Sequence, residues 1–151
     1  MITLTILSLL IFSCYLAYSF KTFGITPDIS STFYLNKRKW LFPVMLSVVA
    51  LLLLVPLMDL TTNQFKLFEF ITVAGVLFTA TAPAYREELV RDVHVFGALT
   101  AGMSAVAVVT LSGYWWLSIG LVPLYLFVKK NRTYWIEVYL FAMIYARLLI
   151  G

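Results

Sequence analysis

Long apolar runs alternate with short polar stretches along the whole chain. The runs fall near 2–20, 40–60, 67–84, 92–111, 114–128 and 133–150. A helix needs about 20 predominantly apolar residues to cross the hydrocarbon layer, so each run is a candidate crossing. The pattern predicts an all-α fold, a polytopic transmembrane helical bundle of about six spans, with residues 1–151 forming a single transmembrane domain. Leu111-Ser112-Gly113 is all that separates the fourth and fifth runs, and it reads as a tight helical hairpin with Gly113 as the turn residue. The N-terminal run, MITLTILSLLIFSCYLAYSF, has no basic flank and outlasts the apolar core of a signal peptide, so a first membrane helix is expected there. Phe12 fits poorly into a lipoprotein-type cleavage box at Ile11–Cys14.

Composition sharpens this picture. The 151 residues are 62% hydrophobic and only 12% charged, with a mean hydropathy of +0.95, whereas a soluble domain carries roughly 25% charged residues. No soluble domain fits beside the spans. The net charge is +4 and the isoelectric point is near 9.3, but the 11 Lys and Arg are scattered among short connections rather than gathered into a basic arm, so no nucleic-acid partner is expected. The single cysteine, Cys14, excludes an internal disulfide and a multi-thiolate metal site.

The basic residues give an orientation instead. Lys21, Lys37, Arg38 and Lys39 fall in the first connection, Arg86 and Arg91 in the third, and Lys129, Lys130 and Arg132 in the fifth; the second has only Lys66 and the fourth none. By the positive-inside rule the odd-numbered connections face the cytoplasm and both termini lie on the non-cytoplasmic side. The expected location is the cell membrane, multi-pass, of bacterial inner-membrane type, with the lipid bilayer as the main partner. Trp40, Tyr114, Trp115, Trp116, Tyr134 and Trp135 all fall at span ends, as an interfacial aromatic belt would.

Gly97-xxx-Ala101 and Ala98-xxx-Gly102 give the fourth span small-residue faces that let helix backbones approach closely in lipid. They predict a tight pair with the third span, itself rich in small residues (Ala74, Gly75, Ala80), or pairing with a second copy in a homo-oligomer. Pro43 and Pro83 read as helix-end residues, although a proline in a membrane helix can also free a carbonyl. No internal repeat relates the two halves of the chain, which weakens a two-repeat transporter reading.

The notable polar groups gather on the cytoplasmic side of this map. Candidate ligand- or ion-binding residues are Glu137, His94, Asp28, Ser30, Ser31, Arg86 and Tyr85. His94 and Glu137 each sit about one helical turn inside the boundary, hence at similar depth. An ionisable group in the hydrocarbon region is costly unless paired or hydrated; for Glu137 the bland alternative is pairing with Arg86, Arg91 or Lys130. His94, the one histidine, can serve as an acid/base group beside a carboxylate or simply satisfy backbone hydrogen bonds. Asp92 reads as a helix N-cap. Thr26–Tyr34 either folds back as a half-inserted segment or forms an Asp28-capped surface helix. Arg147, Asp59 and Glu69 read as residues near the outer face.

The segments PDISSTFYL, TAPAYREE, VHVFGA and WIEVY, in that order, resemble a group of small polytopic bacterial membrane proteins, which implies a membrane bundle and no particular activity. A membrane hydrolase superfamily of the alkaline-ceramidase type also combines a Ser, an Asp and histidines around zinc at one membrane face. Here His94 stands alone where that family needs three histidines, which argues against a zinc lipid hydrolase. There is no phosphate-cradling Gly-rich loop, HExxH, CxxC or Arg-rich voltage-sensor helix, and no motif identifies a cofactor or a metal.

Three functions fit this sequence. The first is a small transport or channel-type protein, a homo-oligomer with Glu137 and His94 in a cytoplasm-facing polar site. The second is a membrane-embedded enzyme acting on a lipid or small amphiphile, with His94 and Glu137 or Asp28 as acid/base groups and Ser30 or Ser31 as nucleophile. The third is a non-catalytic module that binds a partner through its loops.

Overall fold

A computed structural model describes residues 1–60, 65–83 and 87–150. The chain is all-helical among these residues: α1 (Ile2–Phe23), a short α2 (Thr32–Leu35), α3 (Leu41–Met58), α4 (Lys66–Thr81), α5 (Glu88–Val109), a wider π-type turn (Thr110–Tyr114), α6 (Trp115–Ile119), α7 (Leu121–Phe127) and α8 (Arg132–Ile150). Four stretches are long and apolar enough to cross a membrane: Ile2–Phe23, Leu41–Met58, Val90–Phe127 and Arg132–Ile150. The third of these bends at Gly113, whose φ of 90° is open to glycine at little cost, so α5 turns back into α6 and α7 as the Leu111-Ser112-Gly113 pattern predicts. α4 is apolar but has 16 residues, which reach about 24 Å at 1.5 Å per residue, short of a hydrocarbon layer of about 30 Å.

The surface is that of a molecule solvated by lipid. Leu51, Val55, Phe96, Leu99, Met103 and Phe127 point outward, Met103 and Phe127 being 73% and 79% exposed, while serines, threonines and a histidine lie inside. Burying a hydroxyl is costly unless it finds a partner. Ser8 of α1 donates to Val49 O of α3 at 3.2 Å and accepts from the Tyr145 hydroxyl of α8 at 2.8 Å, tying three helices together. Phe12 packs on Phe141 beside this contact, ring centroids 4.3 Å apart.

The closest crossing is between α4 and α5. A Cβ added to Gly75 would lie 2.7 Å from both Ala101 N and Gly97 O, and one on Gly97 would lie 2.8 Å from Phe78 Cβ. Only glycines permit that approach. The small-residue face containing Gly97 and Ala101 is therefore packed within the chain, against the third apolar segment. The other face, with Ala98 and Gly102, turns toward α8, where a Cβ on Gly102 would sit 3.2 Å from Leu140 Cδ1.

Two readings change. α5 begins at Glu88 with Glu87 at its N-cap position, so Asp92 is an exposed residue inside the helix, 3.9 Å from Arg91, and caps nothing. Tyr134 is buried rather than part of an interfacial belt, whereas Trp40, Trp115, Trp116 and Trp135 are exposed as expected.

Candidate functional site

The segment between α1 and α3 crosses the end of the bundle and folds onto it. α1 stops at Gly24, whose φ of 73° turns the chain while its N–H still bonds Phe20 O. The following residues are tied to the start of α8. Asn131 Nδ2 donates to Ile25 O at 2.9 Å, Tyr134 N–H donates to Pro27 O at 3.1 Å, and Ile29 N–H donates to Glu137 Oε2 at 2.7 Å. Internal bonds set its shape. Asp28 Oδ1 accepts from Ser31 N–H at 2.6 Å, at the start of α2, and Thr32 Oγ1 donates to Ile29 O at 2.6 Å while accepting from the Tyr15 hydroxyl at 2.5 Å. The segment thus folds back and also carries an Asp28-bonded helical turn. Thr26, Ile29, Ser30, Ser31 and Thr32 are all buried by it.

Ser30 is aimed at His94. His94, near the start of α5, has two hydrogen-bonding sides. Nδ1 lies 2.9 Å from Ala82 O and 3.1 Å from Thr79 O. Carbonyls only accept, so Nδ1 carries the proton. Thr79 O is left without its usual helical partner because the residue four positions on is Pro83, which has no N–H; His94 caps that frayed end of α4. The neutral ring then presents Nε2 as an acceptor, and the Ser30 hydroxyl donates to it at 3.0 Å. Both side chains are buried.

Beneath Ser30 lies a cavity of about 80 Å³ between α3, α4, α5 and α8. Ser30 and Glu137 line one end of it, and Phe42, Leu46, Val76 and Phe141 are among its apolar walls. Ser30 stands between this space and His94. Glu137 is partly buried, spends Oε2 on Ile29 N–H, and makes no ion pair among the described residues. Asp28 is within electrostatic range of both His94 and Glu137.

Of the residues singled out in the sequence, Asp28, Ser30, Ser31, His94 and Glu137 thus meet at one end of the bundle. Ser31 contributes its backbone N–H to Asp28 and its position at the start of α2. Tyr85 and Arg86 lie outside the described residues. Two charged residues read from the sequence as lying near the outer face, both at the opposite end of the bundle, are buried. Glu69, placed near a span boundary by hydropathy, is fully buried, and neither carboxylate oxygen has a hydrogen-bond partner among the described residues. Arg147 does not snorkel to an outer surface; it is buried, donates from Nε to Ser112 Oγ at 2.9 Å and lies over the Tyr114 ring.

A serine hydroxyl bonded to an imidazole whose other nitrogen is fixed by acceptors is the arrangement of an activated nucleophile: the base is within reach and is held in the correct tautomer. Among the described residues no group of three or more His, Cys, Asp or Glu is placed to hold a metal ion. No family model, curated protein or solved structure matches the chain. A functional reading therefore rests on the geometry.

Proposed function

We propose that the chain is an integral membrane enzyme that acts on a lipid or small amphiphile by acyl transfer to Ser30, with His94 as general base. The observation that carries this reading is the 3.0 Å Ser30–His94 hydrogen bond with Nδ1 anchored on two carbonyls, set beside an apolar cavity. In the first step Ser30 Oγ bonds to the carbonyl carbon of an ester or amide and its proton passes to His94 Nε2. The leaving alcohol or amine takes that proton as the carbonyl–heteroatom bond breaks. Water then attacks the acyl-Ser30 ester, again with its proton to Nε2, and the acid is released as Ser30 regains its hydrogen. Glu137 holds the Ile29–Ser30 backbone in place.

In this reading the chain passes the membrane six times, with α4 and the α6–α7 pair as its two short passages, in a cell membrane of bacterial inner-membrane type. The excess of Lys and Arg on the odd-numbered connections puts the Ser30 end at the cytoplasmic side and both termini outside.

The test is active-site labelling in nanodiscs. A fluorophosphonate should modify Ser30, located by peptide mass spectrometry, in the wild type and in Ser31→Ala but not in Ser30→Ala. His94→Asn keeps a donor near the Nδ1 position to cap α4 and removes the base, so it should label about 10²–10⁴-fold more slowly while remaining folded. Failure of the wild type to label would defeat the proposal.

Glu69 favours a second reading, a transport or channel-type protein. A fully buried carboxyl with no hydrogen-bond partner among the described residues is a functional candidate at membrane depth, and Thr72, bonded to Ser104 at 2.9 Å, lies one turn from it on the way to the cavity. That reading expects ion flux in liposomes that Glu69→Gln alters; absence of flux from the wild type removes it.

A further inference from the structure

We infer that the cavity beneath Ser30 is an acyl-chain slot: it takes one unbranched hydrocarbon chain of medium length, with the carbonyl at Ser30 and the leaving group on the Glu137 side. This rests on the acyl-transfer reading and adds to it the class of substrate.

The dimensions come from three helices independently. The cavity is lined from Glu137 to Ile144 on α8, from Ala98 to Ala105 on α5 and from Thr79 to Thr72 on α4, each a rise of about 10 Å at 1.5 Å per residue. At about 10–15 Å³ for each water-sized group, a volume of about 80 Å³ holds on the order of six such groups. Spread over that length they make a narrow slot, a shape that an extended alkyl chain fits.

Polarity gives the direction. Ser30 and Glu137 mark one end. At the other, Thr72 is the one polar residue of the lining, and its hydroxyl is already bonded to Phe68 O at 2.8 Å and to Ser104 Oγ. A water there would lack the two to four polar partners it needs, so the deep end suits hydrocarbon. Ala98, Ala101, Gly102 and Ala105 recur on one face of α5 and make the slot by lacking side-chain bulk. Its wall is partly exposed at Ala98, Gly102, Glu137 and Leu140, between α5 and α8, so a chain can enter sideways from the bilayer.

Because the chain leaves one apolar medium for another, burial gives little discrimination; the closed end does. Ala105 and Ile144 line that end and touch neither Ser30 nor His94 in the hydrogen-bond network. Alkyl fluorophosphonates from ethyl to hexadecyl should label Ser30 with an optimum near octyl. Ala105→Ile fills the deep end and should slow the octyl probe about tenfold while leaving the ethyl probe within about twofold. Ile144→Ala should shift the optimum to longer chains. Opposite shifts from two variants are not what misfolding produces. A length profile that is flat, with Ser30 still labelled, overturns the slot and leaves the acyl-transfer reading standing. If no probe labels Ser30, that reading fails and photo-crosslinking with a diazirine-bearing octanoic acid decides the slot separately. Adducts on α5 and α8 peptides that Ala105→Ile diminishes uphold it, and their absence overturns it.

Discussion

The α4–α5 crossing gives the sharpest test of the packing. An alanine at Gly75 would put its Cβ 2.7 Å from Ala101 N and from Gly97 O, a distance carbon cannot occupy beside backbone nitrogen and oxygen. Those atoms belong to a helix and cannot swing away, so α5 must move as a body. Overpacking of this kind costs about 1–3 kcal/mol, against which alanine regains about 1 kcal/mol of helix propensity over glycine. Gly75→Ala should therefore destabilise by up to about 2 kcal/mol. Gly102→Ala is the matched control. Its Cβ would meet Leu140 Cδ1 at 3.2 Å, the far end of a flexible side chain on the partly exposed cavity wall, so the propensity gain prevails and stability should rise by up to about 1 kcal/mol. Thermal unfolding in detergent, followed by near-ultraviolet circular dichroism, should separate the two variants by several degrees, at about 2–4 °C per kcal/mol for a chain of this size. Because His94 on α5 reaches Thr79 O in the last turn of α4 and Ala82 O just past its end, Gly75→Ala should also slow labelling of Ser30. A Gly75→Ala protein as stable as Gly102→Ala would refute the close crossing.

Three further outcomes follow from single groups. Glu137→Ala leaves the buried Ile29 N–H without its acceptor and should cost about 1–3 kcal/mol, visible as faster amide hydrogen exchange across residues 25–32, whereas Glu137→Gln keeps an acceptor and should exchange more nearly like the wild type. Glu69→Leu replaces two oxygens that have no hydrogen-bond partner among the described residues with hydrocarbon and should raise stability by about 1–3 kcal/mol on thermal unfolding; a loss of stability would mean that the carboxyl is satisfied in the bilayer. Tyr145→Phe deletes the donor to Ser8 and should cost about 1 kcal/mol in the same assay while leaving Ser30 labelling unchanged, because that contact lies about 12 Å along α8 from Glu137, at 1.5 Å per residue.

Hydropathy located the helices because lipid imposes the pattern it measures. The starts of α1, α3, α4 and α8 fall within two residues of the apolar runs. It misplaced the start of α5, because the turn Glu88–Asp92 is helical but not apolar: a hydropathy profile marks entry into the membrane, not the first hydrogen bond. It also missed the break at Gly120, where α6 gives way to α7. Depth along a helix was legible, so His94 and Glu137 could be put at one level. Rotation about the helix axis was not, and rotation decides that Glu69 points inward, that Tyr134 is buried, and that Ser30 rather than Glu137 faces the imidazole. The folded-back segment was ambiguous for a related reason. Pro27, Asp28, Ser30 and Ser31 are turn formers in any loop, and what fixes them here is a set of partners at and just before the start of α8, more than a hundred positions away in sequence.

His94 also shows why its two sequence readings were never alternatives. As a structural residue it completes the end of α4, where Pro83 has removed a donor and left Thr79 O to be satisfied. As a chemical residue it accepts from Ser30. An imidazole does both because its nitrogens are distinct, and the first role prepares the second: two carbonyls hold the proton on Nδ1, so Nε2 is the lone pair that faces the hydroxyl. The cap thus fixes the tautomer an acyl-transfer base requires. Asparagine at position 94 can retain the capping half of this arrangement and lacks the other, which is why stability and Ser30 reactivity should part company in that variant.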